Sequence, residues 1–176
     1  MEVRFPKVPL RSKIIETFPL PGKHESKLQP MTRIKISKDF YIDEFVPKSI
    51  YDAFGAKARW YINPTTVEIA QFVRDHFGKA VTINNWATGG QYQERGYRVP
   101  STTNGAKYSQ HKLGNAVDFS IAGMTSKQIY DYIMAHEELF IQVGVTTMEN
   151  VEYTKTWNHL DARNTGDESK ILIVNP

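Results

Sequence analysis

The 176-residue chain contains no cysteine. That excludes disulfides, thiolate-ligated metal sites and a cysteine nucleophile, so any metal must be held by histidine, carboxylate or carbonyl groups. Long hydrophobic runs are missing as well. Nothing approaches the length needed to span a bilayer, and the opening stretch MEVRFPKVPLRSKIIETF lacks the apolar region of a secretory signal. The expectation is a protein made in the cytoplasm, without membrane insertion, that reaches any external target by another route. Strong charge imbalance is also lacking: 22 basic and 19 acidic side chains give a formal net charge of +3. The basic residues are scattered, which argues against nucleic acid as a partner. A slight cationic surplus is compatible with a polyanionic surface such as a bacterial wall.

What is present fits a globular domain. Apolar residues make up 40% and aromatic residues 12% of the chain, enough to form a sizeable core. The length suits one domain with an additional arm, expected as a monomer. Residues 1–34 read as a proline-rich basic arm, since Pro6, Pro9, Pro19, Pro21 and Pro30 are five of the nine prolines. A PxxP pattern occurs in FPKVP, but a simple wrap of the arm over the body is the plainer reading.

The domain proper is expected over residues 35–176, starting at KISKDFYIDEF, Lys35 to Phe45, where Ser37 can cap a short turn. VPKSIYDAFG reads as a short helix closed by Gly55. NPTTVEIAQFVRDHFGK is the clearest helix: Asn63 caps it, Pro64 sits in its first turn, Val67, Ile69, Ala70, Phe72 and Val73 form its apolar face, and Gly78 ends it. His76, in its last turn, suits the helix dipole and needs no ligand role. AVTINNW is predicted as a strand, followed by a long polar glycine-rich loop over Ala87 to Tyr108. NAVDFSI gives a second strand, TSKQIYDYIMAHEELF a second long helix capped by Thr125 or Ser126, and FIQVGVTTME, KTWNHLDA and KILIVNP the remaining strands. This order predicts an α+β domain with a small, mainly antiparallel sheet and flanking helices. Trp60 and Tyr61 are expected in the core, whereas Trp86, Tyr92 and Tyr97 suit either a groove lining or internal packing.

Of five histidines, His24 and His136 have no suggestive company. His111 and His159 do. His111 lies in SQHKLGNAVDF, seven positions before Asp118, and that carboxylate stands inside an apolar strand where burial without a partner is costly. Two neutral imidazoles and a carboxylate form a tripod suited to one Zn²⁺, with bonds of about 2.0–2.2 Å and a fourth position left for water. Zinc lowers the pKa of such a water to about 7. Gly114 and Ala116 are small enough to let the backbone turn closely past the metal. In TWNHLDAR, strand alternation puts Trp157, His159 and Asp161 on one face. Asp161 can orient His159, act as a general base, or pair with Arg163.

These segments resemble a family of bacterial and phage zinc peptidases, the D-alanyl-D-alanine carboxypeptidases and L-alanyl-D-glutamate endopeptidases, whose fold is shared with the hedgehog signalling domain. SQHKLGNAVDF is similar to the family's S-x-H-x-x-G-x-A-x-D segment, and TWNHLDAR to the aromatic-x-H-x-D-x-R segment of its phage endolysin branch. GYR at Gly96–Arg98 and the opening KDFYIDEFV resemble further family features, so the likeness covers about residues 35–176. The resemblance implies a hedgehog/DD-peptidase-like fold and Zn²⁺ held by His111, Asp118 and His159. It implies hydrolysis of peptidoglycan stem peptides, with Arg98 steadying the developing oxyanion. Ser109 then holds the loop or binds substrate, and Trp157 and Arg95 are further substrate-binding candidates. A phage or prophage lysin, released by a holin or carried on the virion, fits the missing leader.

The chain departs from the family where many relatives carry a catalytic Glu or Asp three residues before the second histidine; here that position is Thr156. The base is then expected to be Asp161 first, Glu149 second, or Glu152. The long NWATGGQYQERG stretch makes Arg95 a rival to Arg98. A non-catalytic metal-containing wall-binding module on the same fold is the alternative, and a structural or DNA-processing phage protein a third reading.

Overall fold

A computed structural model describes residues 32–176. The expected arm, residues 1–34 with FPKVP and His24, lies outside the described residues except for its last three positions. Tyr51 donates its hydroxyl hydrogen to the Thr32 carbonyl at 2.9 Å. Arg33 grips the buried Asp43 through Nη2 at 2.7 Å, reaches Glu44 at 3.0 Å and lies 4.1 Å over the Tyr41 ring. Ser37 does organise a turn, its Oγ accepting from the Phe40 amide.

Helix α1 (Lys48–Phe54) ends at Gly55 as expected. Helix α2 (Pro64–Phe77) follows its local code. The Asn63 side chain accepts from the Thr65 amide, Pro64 fills the first position, and Gly78 closes the helix with a left-handed φ of 60°. Removing such a cap costs helices about 1 kcal/mol. His76 bonds the Tyr132 hydroxyl at 2.8 Å, a structural contact.

The sheet has five strands in the order β1 (Val81–Thr82), β2 (Ala116–Ile121), β4 (Asn158–Asp161), β3 (Thr147–Glu149) and β5 (Leu172–Val174). It is mainly antiparallel, with one parallel pair, β3–β5. Alternation along β2 sends Val117, Phe119 and Ile121 into the core with Ile69 and Val73 of α2. The same core takes Ile129 and Ile133 of α3 (Ser126–Ala135). The opposite face of the sheet carries Asp118 and Ser120.

Several expected elements differ. The AVTINNW strand stops after Thr82, because the next side chains take over backbone groups. Asn84 donates to the Val46 carbonyl and accepts from the Arg95 amide, and Asn85 accepts from the Tyr92 amide. The second long helix is two helices, α3 with Thr125 as its cap and α4 (Glu137–Ile141), broken at His136, whose ring nitrogen takes up the Tyr132 carbonyl. Phe140 and Ile141 are therefore helical rather than part of a strand. A short helix α5 (Val151–Thr154), which the sequence pattern does not predict, joins β3 to β4. Trp60 is 75% exposed, against its expected core position, and Tyr97 is buried.

Candidate metal centre

The register of the sheet builds the site. Asp118 on β2 lies directly opposite His159 on β4. On the other side of β4, Thr147 pairs Asp161 and Met148 pairs Leu160, and one step further Glu149 brings Oε1 to 3.7 Å from His159 Nδ1. Three ionisable side chains thus stand in a row across β2, β4 and β3. His111 arrives from a 3₁₀ turn, Gln110–Leu113, which ends at Gly114 and feeds straight into β2.

His111 Nε2, Asp118 Oδ1 and His159 Nδ1 lie within 2.8–3.1 Å of one another, and all three residues are buried. The outer edges of the rings decide what the inner edges can be. His111 Nδ1 faces the Gly96 carbonyl at 2.7 Å, an acceptor only, so that nitrogen carries the hydrogen. His159 Nε2 likewise faces the Asp161 carboxylate at 3.1 Å and donates to it. In their neutral forms both imidazoles therefore aim lone pairs at the Asp118 oxygen. In those forms three acceptors converge, an arrangement that needs a positive charge at its centre: a metal ion, or in its absence a proton on an imidazole. Ligand atoms around a tetrahedral Zn²⁺ sit roughly 3.4 Å apart, so seating an ion widens the cluster by only a few tenths of an ångström. The donor set fits a metal ion.

The surroundings fix these ligands. Arg98 donates from Nη2 to Asp118 Oδ2 at 2.7 Å, which turns Oδ1 inward, and from Nε to the Glu94 carbonyl at 2.6 Å. Burial alone would raise the Asp118 carboxyl, but the two imidazoles hold it well below the usual carboxylate range. Burial would likewise raise Asp161, yet its bonds to His159 and Arg163 keep it low. Burial does prevail at Glu149 and, with the nearby Asp118 charge, pushes its carboxyl up despite His159. Gly96 has its own reason: a Cβ there would lie 2.2 Å from the Phe45 carbonyl oxygen, so only glycine lets this carbonyl reach His111.

The centre opens on a cavity of about 480 Å³ bordered by Arg98, Ser109, Tyr108, Glu149, Trp157 and Arg163. A larger cavity of about 730 Å³ lies at Trp60 and Val67, and none of the three ligands lines it.

His111, Asp118 and His159 are thus brought together as the sequence predicts, with Arg98, Ser109 and Trp157 around them. Asp161 shares the face of His159, but it is fully buried behind the ring, gripped by Arg163 through Nε at 2.9 and 3.0 Å, and does not border the cavity. Two of its expected placements, against His159 and against Arg163, coexist, and of the two carboxylates Glu149 is the one that borders the cavity. Glu152 is exposed on α5 and outside the cavity. Arg95 points into a neighbouring lobe rather than the metal cavity. Gly114 serves a different close approach from the one expected: at φ 73° it passes the Tyr61 carbonyl, and its own carbonyl accepts from Thr66 Oγ1 at 3.0 Å. Sequence reasoning missed Gly96 and the grip of Arg98 on Asp118; the Gly-Tyr-Arg triplet was the available signal for both.

No helix among the described residues is long and apolar enough to cross a membrane. Compared with known proteins, the chain matches no family model, no curated protein and no solved structure.

Proposed function

We propose that the chain is a zinc-dependent peptidase that hydrolyses an amide of peptidoglycan stem peptides, a wall-lytic enzyme of the phage endolysin type. One observation carries this reading. In their neutral, ligating forms His111 and His159 aim ring lone pairs at one carboxylate oxygen of Asp118, on the floor of a cavity whose wall holds a further carboxylate, Glu149. The resemblance of SQHKLGNAVDF and TWNHLDAR to the zinc peptidases supports the choice of substrate.

His111, Asp118 and His159 would hold the ion. When bound, Zn²⁺ supplies Lewis acidity toward the amide carbonyl and activates water at neutral pH. Glu149 acts as general base, and the burial that raises its carboxyl makes it the better proton acceptor. Its carboxylate takes a proton from the attacking water and returns it to the amide nitrogen as the C–N bond breaks. Asp161 keeps His159 in the ligating tautomer. Arg98 aims Asp118, and its Nη1, which has no hydrogen-bond partner among the described residues, is available to the developing oxyanion.

The test is digestion of purified peptidoglycan, read as new amino groups and by mass spectrometry of the released muropeptides. Release that stops with a chelator and returns with zinc is the expected result. Stoichiometric zinc with no released amine overturns the peptidase and leaves a wall-binding module.

A further inference from the structure

The groove of about 730 Å³ is lined by Ile36, Ile62, Pro64, Val67 and the exposed Trp60. Its polar side chains are spent on their neighbours. Ser37 Oγ donates to Gln71 Oε1 at 2.8 Å, and Gln71 Nε2 donates to Asp39 at 2.8 Å. What remains to meet an occupant there is apolar. The exposed apolar surface continues past the groove. Phe54 lies 5.1 Å from the Tyr61 ring, and Leu113 precedes Gly114, which abuts the Tyr61 carbonyl.

Two cations stand beside Trp60. Lys57 Nζ lies over the indole, 5.7 Å from its centroid. Arg59 donates from Nε to the Ala56 carbonyl at 3.2 Å, and its Nη1 and Nη2 have no hydrogen-bond partner among the described residues. No carboxylate among those residues comes within ion-pair distance of either. Asp52 of α1 is held by Lys48, and Glu68 is the one acid that lines the groove. Unpaired positive charge therefore borders an apolar trough. Charge alone would suit any polyanion, and a trough alone any apolar body; together they select an anionic amphiphile. An indole between an apolar recess and water, flanked by basic side chains, has the composition of an anchor at a membrane interface. Such docking needs no helix that crosses the bilayer.

We propose that this face docks on an anionic lipid surface, with an acyl chain entering the groove beside Trp60 and lipid phosphates meeting Lys57 and Arg59. The inference stands apart from the peptidase reading, since no metal ligand takes part. The probe is vesicles of phosphatidylglycerol and phosphatidylcholine in equal parts, against vesicles of phosphatidylcholine alone, with the full chain followed by co-sedimentation. Binding to the anionic vesicles is expected, with binding to the neutral ones weaker by about tenfold or more. Salt should shrink that difference, and a chelator should leave it unchanged. Trp60→Ala, at an exposed position, should weaken binding about tenfold, and Lys57→Gln combined with Arg59→Gln about tenfold or more. Brominated acyl chains should quench the fluorescence of the wild type more strongly than that of Trp60→Ala. A chain that ignores the vesicles, or binding that every variant shares, overturns the proposal. So does self-association without vesicle binding that Trp60→Ala abolishes, which gives the groove to a second copy. Retention on lipid-free wall alone, lost in Trp60→Ala, overturns it too and gives the groove to a glycan.

Discussion

His111 and His159, forty-eight positions apart in the chain, meet edge to face with ring centroids 4.9 Å apart and Nε2 of one 3.1 Å from Nδ1 of the other. Two nitrogens so placed, each with its hydrogen committed outward, are poised for a shared cation. One Zn²⁺ per chain is the expected stoichiometry by metal analysis. His111→Ala or His159→Ala should weaken binding by about 100-fold or more, beyond what loss of an outer partner costs. Zinc at about 100 times its Kd should stabilise the fold by about 2.7 kcal/mol. A melting temperature indifferent to zinc and chelator would sink the metal centre.

Proton competition follows from His159. Its burial alone would lower its pKa, but hydrogen bonds to Asp118 and Asp161 overcome this and hold the metal-free imidazole protonated well above the usual range. An entering ion must expel that proton. Below the raised pKa, each unit fall in pH should therefore weaken the apparent affinity about tenfold, with about one proton released per ion at pH 7. Calorimetry in buffers of different ionisation heat counts the protons; a count of zero contradicts the assignment.

Glu149 and Asp161 separate cleanly by substitution. Glu149→Gln should lower kcat by about 10²–10⁴ with zinc retained. Asp161→Asn should instead lower zinc affinity by about 10–100-fold and touch kcat of the loaded protein far less. The opposite pattern would make Asp161 the base.

Arg98→Met strips Oδ2 of the buried Asp118 carboxylate of its guanidinium partner and leaves the charge to His159 alone. Breaking such a pair costs about 3–5 kcal/mol, and that loss should appear in denaturant titrations of the metal-free protein. Zinc, which neutralises the same carboxylate, should reduce the difference. Equal losses with and without metal would mean that Arg98 does not act through Asp118.

The sequence announces what is encoded locally. Helix α2 is legible because Asn63, Pro64 and Gly78 each satisfy a helix end within a few residues. The ligands are legible from type and spacing, since a carboxylate within AVDFS demands a partner. Strand alternation also puts Asp161 beside His159. It does not say which ring edge Asp161 occupies, and that edge decides between base and support. The Gly96 carbonyl behind His111 depends on a close approach to Phe45, sixty-six positions from His111, and no local pattern reports it. The premature end of β1 has the same character: Asn84 and Asn85 look compatible with a strand until the Val46, Arg95 and Tyr92 backbones come within their reach.

Because Asp118 faces His159 through pairing of β2 with β4, the excursion that joins them does not set their separation. Its first turn, at the exposed Gly123 with open space around its Cα, is a natural graft point. A passenger domain inserted there would hang from the rim of the sheet while the three ligands kept their mutual distances, so this chain offers itself as a chassis for recombination as much as a finished tool.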